Sequence, residues 1–244
     1  MKIFICLTFL FISCFYLRGE ERTTFEGTSI PSEKEANENA FIPITPIGWS
    51  PNGLFAYSIP WSNPFMPGSG INYYIFDAVN DKIIFQISTL KSFPGTEEDK
   101  LAAEIKNKEA LIRFEMVINK NGIKGGGASL ESFPLRNDDP INNMGEDLKA
   151  VITAVVNGED FVYCEHSLTI NYSVNIVSNN YIKSVSSGND SLVIYKRIVG
   201  YYRSPYEKRI IIIVATFYAG IECESHLEYK LIGCHMGVGF IPKH

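Results

Sequence analysis

The chain is short of the features that usually announce a partner or a reaction. It has no basic block: 22 Lys and Arg stand against 27 Asp and Glu, a formal charge of −5, and the cations are scattered. A basic patch or stripe is the footprint of nucleic-acid binding, so the charge pattern argues against nucleic acid as a partner, and equally against a polybasic membrane-surface mode. No apolar run reaches the roughly 20 residues of a spanning helix. Paired Cys-x-x-Cys knuckles are missing. The acidic turns Asn137-Asp138-Asp139 and Gly158-Glu159-Asp160 lack the alternation of a calcium loop and read as solvated turns. In GIKGGGAS, residues 122–129, Lys124 precedes the glycines and no helix follows, so the segment reads as a mobile loop rather than a phosphate cradle. No cofactor is called for by these patterns.

What is present begins with the leader, MKIFICLTFLFISCFYLRGEE. Lys2 gives a positive start and Ile3 to Leu17 carry no charge, the pattern of a secretory signal too short to span a bilayer. Phe11-Ile12-Ser13-Cys14 resembles a loose bacterial lipobox. That resemblance implies a signal peptide over 1–13, cleavage before Cys14, lipidation of Cys14, and membrane as a partner through the anchor. Phe11 and Phe15 depart from the usual motif, and a plain secreted chain or an uncleaved anchor are the alternatives. Residues 14–40 are acidic and polar, with too little apolar surface to offset their ordering entropy, and read as a flexible tether. Residues 41–244 have the composition of a globular domain, with possible subunits at 41–118 and 149–244.

The domain reads as a β-rich α+β fold: two antiparallel meander units with blade-like turns and one prominent helix, about 97–111. Leu54–Ile59, Tyr73–Ala78 and Lys82–Ser88 form the first meander, with alternation marking half-buried strands. Thr96 caps the helix, Glu97, Glu98 and Asp99 suit its positive end, and Leu101, Ile105 and Ile112 recur at helical spacing as its apolar stripe. Arg113–Asn119 then reads as a strand. Residues 119–148, dense in Gly, Asn, Asp and Pro, read as the least ordered part of the domain. The second meander runs through Lys149–Val156, Phe161–Val177, Tyr181–Ser186, Leu192–Tyr202, Arg209–Tyr218 and His226–Gly233, with turns at Asn157-Gly158, Asn179-Asn180 and Gly188-Asn189.

Two stretches echo each other: WSPNGLFAYSI from Trp49 and RSPYEKRIIIIVATFY from Arg203. Both resemble the opening of a TolB or WD40-like propeller blade. Asn52 and Leu54 replace the usual Asp and Lys, and Tyr206-Glu207 stand where Asp-Gly would be. The helix and the 119–148 segment argue against a complete propeller. Gly48–Tyr57, Ile75–Asp81 and Gly200–Ile210 together resemble motifs of uncharacterised exported envelope proteins of spirochaetes and similar bacteria. That resemblance implies an exported envelope protein, periplasmic or surface-held, and carries no activity with it.

Candidate chemistry centres on Cys164, His166, Cys223 and His226, with Cys234 beside His235. Cys and His two apart on a strand share a face, a spacing open to soft-metal ligation or to a nucleophile whose base Glu165 or Glu224 orients. The plainer readings of Cys164, Cys223 and Cys234 are one disulfide plus a thiol, or three structural thiols. Trp61, Phe65 and Met66, on a Pro/Gly-rich loop, are core plugs or a patch for envelope protein or glycan. The expected function is a non-catalytic envelope binding or structural module; the alternative is a hydrolytic or metal-binding protein using the Cys/His set.

Overall fold

The computed structural model describes residues 24–27, 29–30, 43–62, 68–92, 95–126, 128–162, 165–220 and 226–243. Its elements are β1 (Thr24–Gly27), β2 (Ser29–Ile30), β3 (Thr45–Trp49), β4 (Leu54–Ser62), β5 (Ser69–Asp77), β6 (Lys82–Ser92), α1 (Glu97–Lys120), β7 (Lys124–Gly125), β8 (Lys149–Val162), β9 (Glu165–Val177), β10 (Tyr181–Arg203), β11 (Arg209–Tyr218), β12 (His226–His235) and β13 (Ile241–Pro242). They form two antiparallel sheets, neither closed into a barrel. The smaller has the order β6-β5-β4-β3-β7. The larger runs β1-β8-β9-β10-β11-β12, with β2 and β13 added onto β10. This is the β-rich α+β fold of two meanders that the alternation predicts, without a propeller ring.

The joint between the sheets is β11. Its sequence RIIIIVATFY is a continuous apolar run, the mark of a strand buried on both faces. Ile210, Ile212 and Val214 turn into the large sheet's own core with Ile152, Ile170, Val174 and Ile232. Ile211 and Ile213 turn the other way and join Trp49, Phe55, Tyr57 and Phe76 of the small sheet. Gly233 on β12 lies so close to Ala78 that a Cβ there would stand 1.9 Å from the Ala78 carbonyl oxygen, which explains the glycine. The two Ser-Pro turns meet at this joint as well. Gly53 adopts φ +79° to close the β3–β4 turn, and a Cβ on it would come within 3.0 Å of Glu207 in the β10–β11 turn. Arg209 ties the corner by donating to Glu207 Oε1 at 2.7 Å and to the Ala78 carbonyl at 3.0 Å. The blade-like turns therefore serve as the clasp between two sheets.

Helix α1 departs from the sequence reading in length and in facing. It runs to Lys120, so Arg113–Asn119 is its last two turns and not a strand. The Thr96 hydroxyl accepts from the Asp99 N–H and Asp99 accepts from the Thr96 N–H, a reciprocal cap. The buried face is Ala110 and Phe114 with Val117 and Ile118 alongside, laid on the outer surface of the small sheet. Phe114 meets Tyr73 and Phe85 at ring distances of 5.0 and 6.2 Å. The Asn107 amide acts as a substitute strand: it accepts from the Leu90 N–H at 2.8 Å and donates to the Leu90 carbonyl at 2.6 Å, covering the edge of β6. Leu101, Ile105 and Ile112, expected to be core, lie on the opposite, solvent side.

The stretch from 128 to 148 is ordered, against expectation. Leu135, Ile141 and Leu148 plug the apolar end of the large sheet's core. Arg203 spans Glu131 and Asp139, with contacts of 2.7 and 2.5 Å. Burial works against the Arg203 charge, but Asp139 and Glu131 outweigh it and hold the guanidinium protonated. Asn142 donates to the carbonyls of Leu135, Arg136 and Glu146. Two expected turns are also absorbed into strands. Asn157-Gly158 becomes a bulge in β8. Gly188 stays within β10 because Tyr172 lies over it, leaving 2.9 Å between its hydroxyl and a notional Cβ.

Candidate functional site

Inward-facing residues of the large sheet change character along its length. At the end near Leu135 and Met236 they are aliphatic. Toward the β8–β9 and β11–β12 connections this face becomes polar, with Tyr172 on β9, Asp190 and Lys196 on β10 and Thr216 and Tyr218 on β11, while His226, Glu228 and Lys230 on β12 are exposed at its rim. Antiparallel register brings these positions level, pairing Lys196 with Thr216 and Thr216 with Glu228.

Lys196 is the centre of this polar end. It is 1 % exposed, with Nζ 2.7 Å from Asp190 Oδ2, donating to Thr216 Oγ1 and 4.2 Å from the centroid of the Tyr172 ring. Burial lowers its pKa, the Asp190 carboxylate pulls it back up, and Lys230 pushes it down again. Tyr218 has its phenol pushed up to about 12, by burial first and then by Asp190 and Glu228. Lys230 donates to Tyr172 at 3.2 Å and to Ser186 at 3.1 Å, which links this cluster to the outer flank of the sheet.

On that flank a cleft of about 430 Å³ lies between β12 and the small sheet, bounded by Tyr57, Phe76, Asp81, Ser186, Lys230 and Leu231 among others. Asp81 caps the strand edge by accepting the Gly233 N–H at 2.6 Å. Burial raises its carboxyl pKa despite that bond and the nearby Lys230 and Arg209 charges. The cleft offers one cation, one carboxyl group and aromatic walls.

Of the residues singled out in the sequence, Cys14, Phe65, Met66, Cys164 and Cys223 lie outside the described residues. Trp61 is half-buried, its indole set over Gly70 across the β4–β5 ladder. His166 and His226 lie at the same end of the large sheet, on strands separated by β10 and β11. Each is exposed and turned to its own carboxylate: His166 is 3.4 Å from Glu159 and His226 is 3.4 Å from Glu228. His226 also stacks on Tyr218. Cys234 is a free thiol, 2 % exposed in the core at the far end of β12, where burial raises its pKa. Among the described residues no three His, Cys, Asp or Glu side chains converge as metal ligands would. The Lys196 cluster was missed; its signal is a lysine that alternation from Ile198 puts on the inward side of LVIYKRIV, beside Arg197 on the other side. No protein-family model, curated protein or solved structure matches this chain.

Proposed function

We propose that the protein is a non-catalytic binding or structural module of a bacterial cell envelope, exported by its leader and held at a membrane by lipid on Cys14. The observation that carries the binding reading is the outward face of α1. Leu101, Ile105, Ile112 and Met116 are 60, 53, 48 and 58 % exposed on one stripe. Scattered surface apolar residues are ordinary; a contiguous row of them marks an interaction site. The placement of His166 and His226 supports the same side of the choice, since a hydrolytic site needs its nucleophile, base and orienting group within hydrogen-bond reach, and each of these imidazoles is engaged with a separate glutamate. Anchoring rests on the Phe11-Ile12-Ser13-Cys14 sequence and on the acidic stretch that follows it, long enough to serve as a tether.

Intact mass of the protein drawn from its native membrane tests this reading. The expected species begins at Cys14, carries diacylglycerol and acyl chains, and loses no mass on denaturation. A chain cut elsewhere without lipid contradicts the anchor, and a metal ion lost on denaturation contradicts the non-catalytic reading by pointing back to Cys164, His166, Cys223 and His226.

A further inference from the structure

The cleft between β12 and the small sheet lies on the opposite face of that sheet from α1. Tyr57 and Phe76 turn toward the large sheet, whereas Ala56 and Ile75 turn toward Phe114. Its volume of about 430 Å³ falls within the roughly 300–1,000 Å³ of small-molecule sites. One wall is a sheet edge. β12 ends the strand order of the large sheet, and no further strand pairs with it among the described residues. It pairs with β11 without a register shift, so its backbone groups alternate between β11 and that free edge. The Gly233 N–H points to the edge, where Asp81 Oδ1 accepts it at 2.6 Å. Leu231, two residues earlier, turns its own N–H and C=O the same way. Charges follow the same order along the strand. Lys230 precedes Leu231, on the side of its N–H. The Lys230 ammonium donates to Tyr172 at 3.2 Å and to Ser186 at 3.1 Å, which leaves one of its three protons unused. Asp81 stands at Gly233, on the side of the Leu231 C=O, and its Oδ2 accepts no hydrogen bond among the described residues. Asp81 holds this place at φ +51°, in the left-handed region that glycine enters more easily. The two charges line one cleft and influence each other without forming an ion pair. Donors therefore gather at one end of Leu231 and acceptors at the other.

We infer that this cleft binds a free α-amino acid with an apolar side chain. The ligand carboxylate meets the unused Lys230 proton and the Leu231 N–H. The ligand ammonium meets the Leu231 C=O and Asp81 Oδ2. An α-amino acid carries both charges on one carbon, matching the single residue over which Leu231 presents its donor and its acceptor. One cation and one carboxylate suit a ligand of no net charge, and Phe76, Ile83 and Leu231 supply an apolar wall for its side chain. The site is separate from the α1 stripe, so a failure of either leaves the other intact.

The test is calorimetric titration of the full chain with L-leucine and L-phenylalanine, each alongside its N-acetyl form and its amide. At least one free amino acid is expected to bind saturably. Its N-acetyl form, which lacks the ammonium, and its amide, which lacks the carboxylate, each bind at least tenfold more weakly, the loss of a charged hydrogen bond. Two variants assign the halves. Asp81→Asn keeps an oxygen for the Gly233 N–H and so keeps the melting temperature. In that variant the gap between the free and N-acetyl forms closes, while the gap to the amide persists. Lys230→Met does the converse. Equal binding of the free and both capped forms by the unsubstituted protein overturns the zwitterion as ligand. No saturable binding of either amino acid at millimolar concentration overturns the site.

Discussion

Asp190→Asn lowers stability by about 3–5 kcal/mol, the cost of leaving one member of a buried ion pair without its counter-charge. The substitution keeps the shape of the side chain and removes only the carboxylate charge that Lys196 faces at 2.7 Å. Lys196 has no route to water, being 1 % exposed, and its remaining partners are the Thr216 hydroxyl and the Tyr172 ring face. For a domain of this size that loss appears as a fall of about 10 °C in melting temperature. Lys196→Met costs less, because Asp190 keeps 19 % of its side chain in solvent and rehydrates. The double variant Asp190→Asn with Lys196→Met returns to within about 1–2 kcal/mol of the original, since an apolar side chain in place of a buried pair is often neutral. Denaturant unfolding of the four proteins gives the coupling directly. A loss under 1 kcal/mol for Asp190→Asn, the range of a surface pair, would refute the description of this cluster as buried.

The second large effect is alkaline. Burial raises the phenol pKa values of Tyr57, Tyr74, Tyr202 and Tyr229, and pushes Tyr201 and Tyr218 to about 12. An unfolded chain ionises its tyrosines near 10. Between the two values the folded form holds more protons, so stability that is complete below pH 10 drains away as pH rises. Each unit of difference is about 1.4 kcal/mol, and Tyr201, only 2 % exposed, withdraws about 2 kcal/mol on its own by pH 12. The Cys234 thiol, also raised, begins the decline earlier, above its ordinary value of 9. Lys196 acts in the other direction, since its lowered pKa adds stability as pH approaches 10.5; one lysine is outweighed by six tyrosines. The denaturation midpoint should fall steeply between pH 10 and 12, and a midpoint that stays level across that window would contradict the burial of these rings.

How much of this was legible in the sequence depends on whether the cause is local. The IIII run of β11, the Thr96 cap and the strand alternation are local signals, and each placed its element correctly. The end of α1 was not legible because Phe114, Val117 and Ile118 resemble a strand when read alone; only the small sheet beneath them decides for helix. The same competition explains the misread face. Leu101, Ile105 and Ile112 have the spacing of a buried stripe, and the sequence offers no sign that Ala110 and Phe114 make a second one. Order in residues 128–148 comes from Arg203, which is 72 residues from Glu131 and 64 from Asp139 in the chain. Gly188 reads as a turn until Tyr172 is seen lying across it. At the polar end the histidines His166 and His226 lie outward, each beside its own glutamate, whereas the buried pair of Lys196 and Asp190 carries the electrostatics.

The measurement that bears most directly on function is photo-crosslinking in intact cells from a probe at Ile105, with a second probe at exposed Asn52 on the β3–β4 turn as control. The account predicts an adduct from Ile105 and none from Asn52. No adduct from Ile105 would contradict the binding role.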